Sequence, residues 1–183
     1  MERFVVGLGN PGLDGTVHNM GSAFIDELVR IYGRSPIAAA AAFSSALVSA
    51  EIQFRVLKPM SEMNVSGRVV FNALKKHVQV RGSVPMPFLL VVADDVDLSP
   101  GKARIRFAKS MRGHNGIKNI AKELGSNLFF VLWIGAGRPS CRNNNLSDYV
   151  LDKIPENQRE AIDKGVRKGL LLFQKWLWCG EEV

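Results

Sequence analysis

The sequence predicts an α/β fold: one domain built on a twisted, partly parallel sheet with helices on both faces. Three observations lead there. Strand-like apolar runs alternate with segments of helical spacing from the first residues onward. The run Phe88–Ala93 is the most apolar strand of the chain. No repeat, linker or break in composition divides the 183 residues, a length that suits one domain with a substantial core.

Taken in order, Arg3–Leu8 reads as a buried strand. Ala23–Tyr32 carries Phe24, Leu28 and Ile31 at helical spacing, with Ile25 and Val29 beside them. The alanine run Ala38–Ala42 carries little information and fits a loop or strand entrance. Ser44–Glu51 and Gln53–Leu57 predict two strands joined tightly. Val65–Val78 predicts a helix with Val65, Val69, Leu74 and Val78 on one stripe. The Gly- and Pro-punctuated loop Arg81–Pro87 leads into Phe88–Ala93. Lys102–Phe107 alternates basic and apolar residues, as a half-buried strand does. Asn115–Leu124 predicts a short helix, Leu128–Ile134 a strand, and Glu156–Trp178 a long terminal helix.

Composition narrows the class. With 46% hydrophobic and 22% charged residues the chain is an ordinary globular one, and no apolar run reaches the ~18 residues a bilayer span needs. The opening Met-Glu-Arg-Phe-Val-Val-Gly reads as a strand start, so no signal peptide, a cytoplasmic or organellar location and no membrane partner are expected. The two cysteines, Cys141 and Cys179, are too few for a disulfide framework and lack metal-site spacing. A monomer is expected, since nothing resembles a large apolar association surface.

Gly7-Leu8-Gly9-Asn10-Pro11-Gly12 matches the dinucleotide-binding pattern directly after a strand. That pattern works only when a helix begins within it, so that its N-terminus faces the pyrophosphate. Here the loop continues through Thr16, and Asp26 and Glu27 fall mid-helix rather than after a second strand. A nicotinamide enzyme is therefore disfavoured.

Another constellation carries chemistry. Asn10 follows the first strand, and His18-Asn19 closes the loop before the first helix. Asn64 opens the helix after Lys58-Pro59, Asp94 ends the apolar strand, and His114-Asn115 opens a later helix. Ligands of open α/β sheets bind beyond the carboxyl ends of strands, so these positions can converge. A neutral imidazole takes a proton from water, and a carboxylate on its other nitrogen fixes the tautomer; His18 with Asp94 is the natural pair. Asparagine amides hold a carbonyl or stabilise an oxyanion without adding charge. No G-x-S-x-G elbow or reactive-cysteine signature is present, so water is the expected nucleophile. The three histidines and the Asp94-Asp95-Val96-Asp97 cluster show no zinc spacing; a magnesium site is conceivable there but unsupported. Plainer roles also fit: Asn64 and Asn115 as helix caps, Asn10 as a turn former, Asp94 and Asp97 as solvated carboxylates, His18 as a loop histidine.

Five ordered blocks resemble the bacterial-type peptidyl-tRNA hydrolase family. They are Val5–Gly12 with His18–Gly21, Leu57–Pro59 with Met63–Gly67, Asp94–Leu98 through Gly101, Arg112–Lys118, and Ile134–Pro139. The resemblance implies an α/β esterase without metal or organic cofactor, acting on the ester between a peptide and the terminal ribose of tRNA. It implies His18 as the proton acceptor, Asp94 as its stabiliser, and Asn10 as a contact near the scissile ester. Asn64 and Asn115, together with His114, Glu62 and Arg112, would bind peptide backbone or the tRNA 3′ end. The chain departs from the bacterial pattern in three places. Its loop Leu13–Val17 is short and lacks the usual tyrosine and arginine, Glu62 replaces an aromatic residue, and Trp133 replaces a basic one. The alternative is an RNA-binding relative of weak catalysis.

The formal charge of +7 is matched by the seven basic residues of the window Lys102–Lys122, which holds no acidic residue. On Lys102–Phe107, Arg104 and Arg106 should share the exposed side and neutralise acceptor-stem phosphates. A solvated face is the plainer reading of that stripe. Trp133 is a stacking platform for a single-stranded 3′ end only if exposed.

Overall fold

The computed structural model describes residues 2–33, 44–47, 53–80, 85–108, 113–139 and 145–179. Its strands are β1 (Arg3–Gly7), β2 (Ser44–Leu47), β3 (Gln53–Leu57), β4 (Met86–Asp95), β5 (Ala103–Phe107) and β6 (Phe129–Gly135). They form one six-stranded sheet in the order β2-β3-β1-β4-β6-β5. The four central strands run parallel, and β2 and β5 pair antiparallel at the edges. The helices are α1 (Met20–Tyr32), α2 (Ser66–Leu74), α3 (Asn115–Leu124), α4 (Leu146–Leu151) and α5 (Glu156–Cys179).

Alternating side chains on the central strands feed two cores. Val6, Val91, Val131 and Trp133 meet α2 and α3 on one face. Val5, Val92, Leu132 and Phe130 meet α1 and α5 on the other, where Phe24, Phe173 and Trp176 interlock. None of the described helices is long and apolar enough to cross a membrane.

Several boundaries differ from expectation. The α2 helix stops at Leu74 instead of Val78, and its buried stripe is Val70, Ala73 and Leu74. Val65 lies before it in a 3-10 turn, half exposed at 50%. Leu74 of the expected stripe is buried and Val78 packs against the same core, but Val70 and Ala73 take the places expected of Val65 and Val69. Likewise Ile31 of α1 is 43% exposed, because Phe24, Ile25 and Leu28 already fill the contact. The short helix α4 was not anticipated, although Asn145 caps it by accepting the Ser147 N–H at 3.2 Å. Strand β4 begins earlier and extends through Asp94 and Asp95, so both acids sit inside the sheet ladder. Residues 38–42, expected at a loop or strand entrance, and residues 48–51, expected to continue a strand, lie outside the described residues.

The start of α1 is set by contact rather than propensity. The chain leaves β1 with Leu8 N–H bonded to Val92 C=O at 3.0 Å, then returns so that Ser22 N–H reaches Leu8 C=O at 2.7 Å. Gly21 makes this possible, since a Cβ there would lie 2.2 Å from the Val92 carbonyl oxygen and 2.7 Å from Leu8 N. The helix thus begins well past the glycine loop, as the exclusion of a dinucleotide site requires.

Gly21→Ala weighs two effects. Alanine favours a helix interior by ~1 kcal/mol, whereas a backbone clash of this kind typically costs ~1–3 kcal/mol. Because the obstructing atoms are backbone on two elements, we expect net destabilisation of ~1–2 kcal/mol. Urea denaturation of the variant should show a lowered midpoint; an equal or raised one would rule out the tight contact.

Candidate active site

A cleft of about 770 Å³ opens across the carboxyl ends of the parallel strands. His18 enters it from a 3-10 turn, Val17–Asn19, immediately before α1. Asp94 enters from the end of β4 and is 4% exposed. His114, the N-cap of α3, is also buried. Asp94 Oδ1 accepts from His18 Nδ1 at 2.8 Å and from His114 Nε2 at 3.2 Å. The expectation of a solvated Asp94 therefore does not hold.

These contacts assign the protons. Ile117 N–H donates to His114 Nδ1 at 3.4 Å, so the His114 proton resides on Nε2, facing Asp94. His18 donates from Nδ1, which leaves its Nε2 lone pair as the basic site. Burial alone would raise the Asp94 pKa; the electrostatic attraction and hydrogen bond of His114, then those of His18, outweigh it. They hold the carboxyl well below the usual carboxylate range.

His18, Asp94 and His114 place three ligand-type atoms within 4.8 Å of one another. Sequence spacing could not reveal this set, because its members come from three distant segments. Its N···O separations are those of hydrogen bonds, with both imidazoles donating.

Asn10 is held on three sides. Its N–H donates to Asn19 Oδ1 at 2.7 Å, and Asn19 Nδ2 donates to its carbonyl at 2.9 Å. Its own Oδ1 accepts the Met63 N–H at 2.7 Å. That last bond orients the amide so that Nδ2 is its remaining donor, at the cleft wall. Asn19, 4% exposed, was adjacent to His18 in the sequence but its clamping role was missed. The first turn of α3 approaches closely as well: a Cβ on Gly116 would lie 2.5 Å from Met63 Sδ and 2.8 Å from Leu8 Cδ1.

A sequence profile of the family described as Peptidyl-tRNA hydrolase matches residues 4–182. The chain is 37% identical over 168 residues to a peptidyl-tRNA hydrolase of Geobacillus kaustophilus, covering 90% of this chain and 87% of the relative. It is 36% identical over 185 residues to that of Chlamydia trachomatis serovar L2, covering 98% and 100%. A crystal structure of a peptidyl-tRNA hydrolase with N-propanol superimposes with a TM-score of 0.81 at 31% identity, over 97% of this chain and 89% of that one. The enzyme of Acinetobacter baumannii gives 0.78 at 30%, over 97% and 91%.

The chain belongs to the peptidyl-tRNA hydrolase family.

Within this family member, Glu62, Asn64 and Asn115 are exposed and line the cleft, while Asn115 leaves the capping of α3 to His114. Arg112 lies outside the described residues. Arg104 is not the free cation expected. Its guanidinium pairs with Asp95, whose side chain is 2% exposed and needs a buried partner. Arg106 is exposed on the same strand. Trp133, only 2% exposed, offers no stacking platform; its ring stands edge-on to His114 with centroids 6.0 Å apart. Tertiary packing draws it into the α2/α3 core instead.

The depressed Asp94 value sets a pH dependence. Because its folded pKa lies below the unfolded value of about 4, its ionisation stabilises the fold fully above that pH, and this contribution is lost as pH falls below it. Urea unfolding of wild type and Asp94→Asn between pH 7 and pH 2 should show the stability difference shrinking below about pH 4. A constant difference over that range would contradict the assignment.

Proposed function

We propose that this chain hydrolyses the ester joining a peptide to the terminal ribose of tRNA, with His18 as the base that activates water. The observation that carries this reading is the 2.8 Å hydrogen bond from His18 Nδ1 to buried Asp94, inside a cleft that also presents the amides of Asn10, Asn64 and Asn115. Such a pair removes a proton from water at neutral pH and keeps the resulting imidazolium compensated.

In the scheme, His18 Nε2 accepts a water proton as the water oxygen attacks the ester carbonyl. Charge gathers on the carbonyl oxygen, and the Nδ2 donor of Asn10, pre-oriented by Met63 N–H, stabilises it. Collapse of the adduct breaks the bond to the ribose oxygen, which takes its proton from the imidazolium. The products are tRNA and a peptide carboxylic acid, which releases its proton to solvent as the carboxylate. His114 keeps Asp94 aligned through its Nε2 bond. Asn64, Asn115 and Glu62, exposed along the cleft, hold peptide backbone or the tRNA 3′ end. The exposed Arg106, Lys118 and Lys122 contact acceptor-stem phosphates.

His18→Ala should lower turnover of an N-acetylated aminoacyl-tRNA by ~10²–10⁴-fold with the fold intact. Correctly folded variant protein retaining more than about a tenth of wild-type turnover would remove His18 from the base role, since general-base loss costs far more. Asp94→Asn should depress kcat more than it raises KM, because the amide holds the ring but cannot offset the imidazolium. A change confined to KM would make Asp94 a binding residue.

The basic surface is tested separately, and Arg104 is left alone because of its pair with Asp95. For Arg106→Ala with Lys118→Ala, affinity for unrelated tRNAs should fall about equally. The slope of log affinity against log salt should flatten by up to about 0.9 per lost phosphate contact. Binding isotherms across a salt series read this directly, and an unchanged slope would return the stripe to a solvated face.

A further inference from the structure

The cleft has two walls of different chemistry, supplied from opposite faces of the sheet. Glu62, Asn64 and Asn115 come with α2 and α3, and Asn10 joins them through its bond to Met63 N–H. Leu146, Val150 and Leu151 come from α4, whose Tyr149 and Val150 pack into the core on the α1/α5 face. Leu13 and Val96 continue this second, aliphatic wall.

Helix α4 is fastened beside the catalytic turn. Thr16 and Lys153 form a β-bridge, Val17 N–H donates to Asp152 C=O at 3.2 Å, and Ile154 N–H donates to Gly15 C=O at 3.0 Å. Tyr149 Oη donates to Ala136 C=O at 3.2 Å. Backbone bonds on both sides of Thr16 thus fix the end of α4 relative to His18, two residues further along the chain. Leu146 and Leu151 nevertheless remain 37% and 43% exposed. Isolated exposed leucines need no explanation. Here, however, they line the same cleft as the reacting groups, with Val150 one helical turn after Leu146.

An ester of an amino acid divides in the same way. Its carbonyl and the preceding peptide group require hydrogen-bond partners, which the amide wall offers. Its side chain leaves Cα in another direction and requires a surface of its own. We propose that α4 is a shelf for the side chain of the amino acid esterified to tRNA, giving preference to leucine- and phenylalanine-sized residues over alanine and aspartate. This rests on the peptidyl-tRNA hydrolase reading above and adds a selectivity within it. The carboxylates of Asp94, Asp95 and Glu62 around the cleft further disfavour an acidic side chain.

The test is kcat/KM for one tRNA body carrying N-acetyl-leucine, -phenylalanine, -alanine or -aspartate. We expect wild type to favour the first two by roughly tenfold, the low end of the discrimination given by a hydrophobic contact, because the shelf is half open. Leu151→Asn and Leu146→Asn, made singly at exposed positions that the core does not need, should each reduce the leucine-to-alanine ratio by about threefold or more. Equal kcat/KM for all four substrates in wild type, or an unaltered ratio in both variants, would overturn the shelf while leaving the hydrolase reading standing. Turnover of none of the four by wild type would overturn the hydrolase reading and the shelf together.

Discussion

A single carboxylate oxygen organises the carboxyl end of this sheet. Asp94 Oδ1 is buried and accepts from two imidazoles, one before α1 and one at the start of α3. An ionised carboxylate taken out of water costs several kcal/mol even after relaxation, and a hydrogen bond to a charged group returns ~1.5–3 kcal/mol. One such bond falls short of that cost, whereas two bring it within reach. The requirement for two partners explains why segments separated by 76 and 20 positions from Asp94 must meet at one point. Close backbone approach is then needed on both sides: Gly21 lets α1 lie against β4, and Gly116 lets α3 settle on Met63 and Leu8.

The topology makes that meeting possible. Because β3, β1, β4 and β6 are parallel, the segments leaving them emerge on one edge, carrying Asn10, the Met63–Val65 turn and Asp94 there together. Crossover helices on both faces keep the central strands dry, so the strand-end acids are buried instead of hydrated. Asp95 meets the same constraint as Asp94 by recruiting Arg104 from the edge strand. The two neighbouring acids therefore differ in use: one is bound to titratable imidazoles, the other to a permanent cation.

Much of this was legible in the chain because strand alternation and loop chemistry are local signals. The order of strands and helices, the segments bearing Asn10, His18, Asp94 and His114, and the break after the glycine loop could be read directly. What was not legible depends on distant contact. Helical spacing put Val65 and Val69 beside Leu74 on the buried face of α2, but Val70 and Ala73 join Leu74 in the core instead. Arg104 and Arg106 alternate identically in sequence, yet Arg104 is paired with a buried acid while Arg106 is exposed. Trp133 stands where the family has a basic residue, its use as a stacking platform depended on exposure, and packing draws it into the core. His114 was assigned to substrate or tRNA, and no local pattern could disclose that its ring bonds to Asp94.

The hydrogen bonds around Asp94 also carry direction. Starting from α3, Ile117 N–H fills His114 Nδ1, which forces the proton to Nε2 and toward Asp94. Asp94 Oδ1 then receives His18 Nδ1–H, which leaves only Nε2 of His18 able to accept a proton. On the neighbouring loop, Met63 N–H fills Asn10 Oδ1 and leaves Nδ2 able only to donate. A backbone N–H at the start of a helix or turn sets each polarity, and backbone groups cannot invert as hydroxyls do. Acceptor and donor are therefore assigned before any substrate enters, so the reorganisation that water would need at the transition state has been completed by folding. This explains why the site tolerates burial of so many polar groups: each bond that satisfies one of them also fixes the orientation of the next.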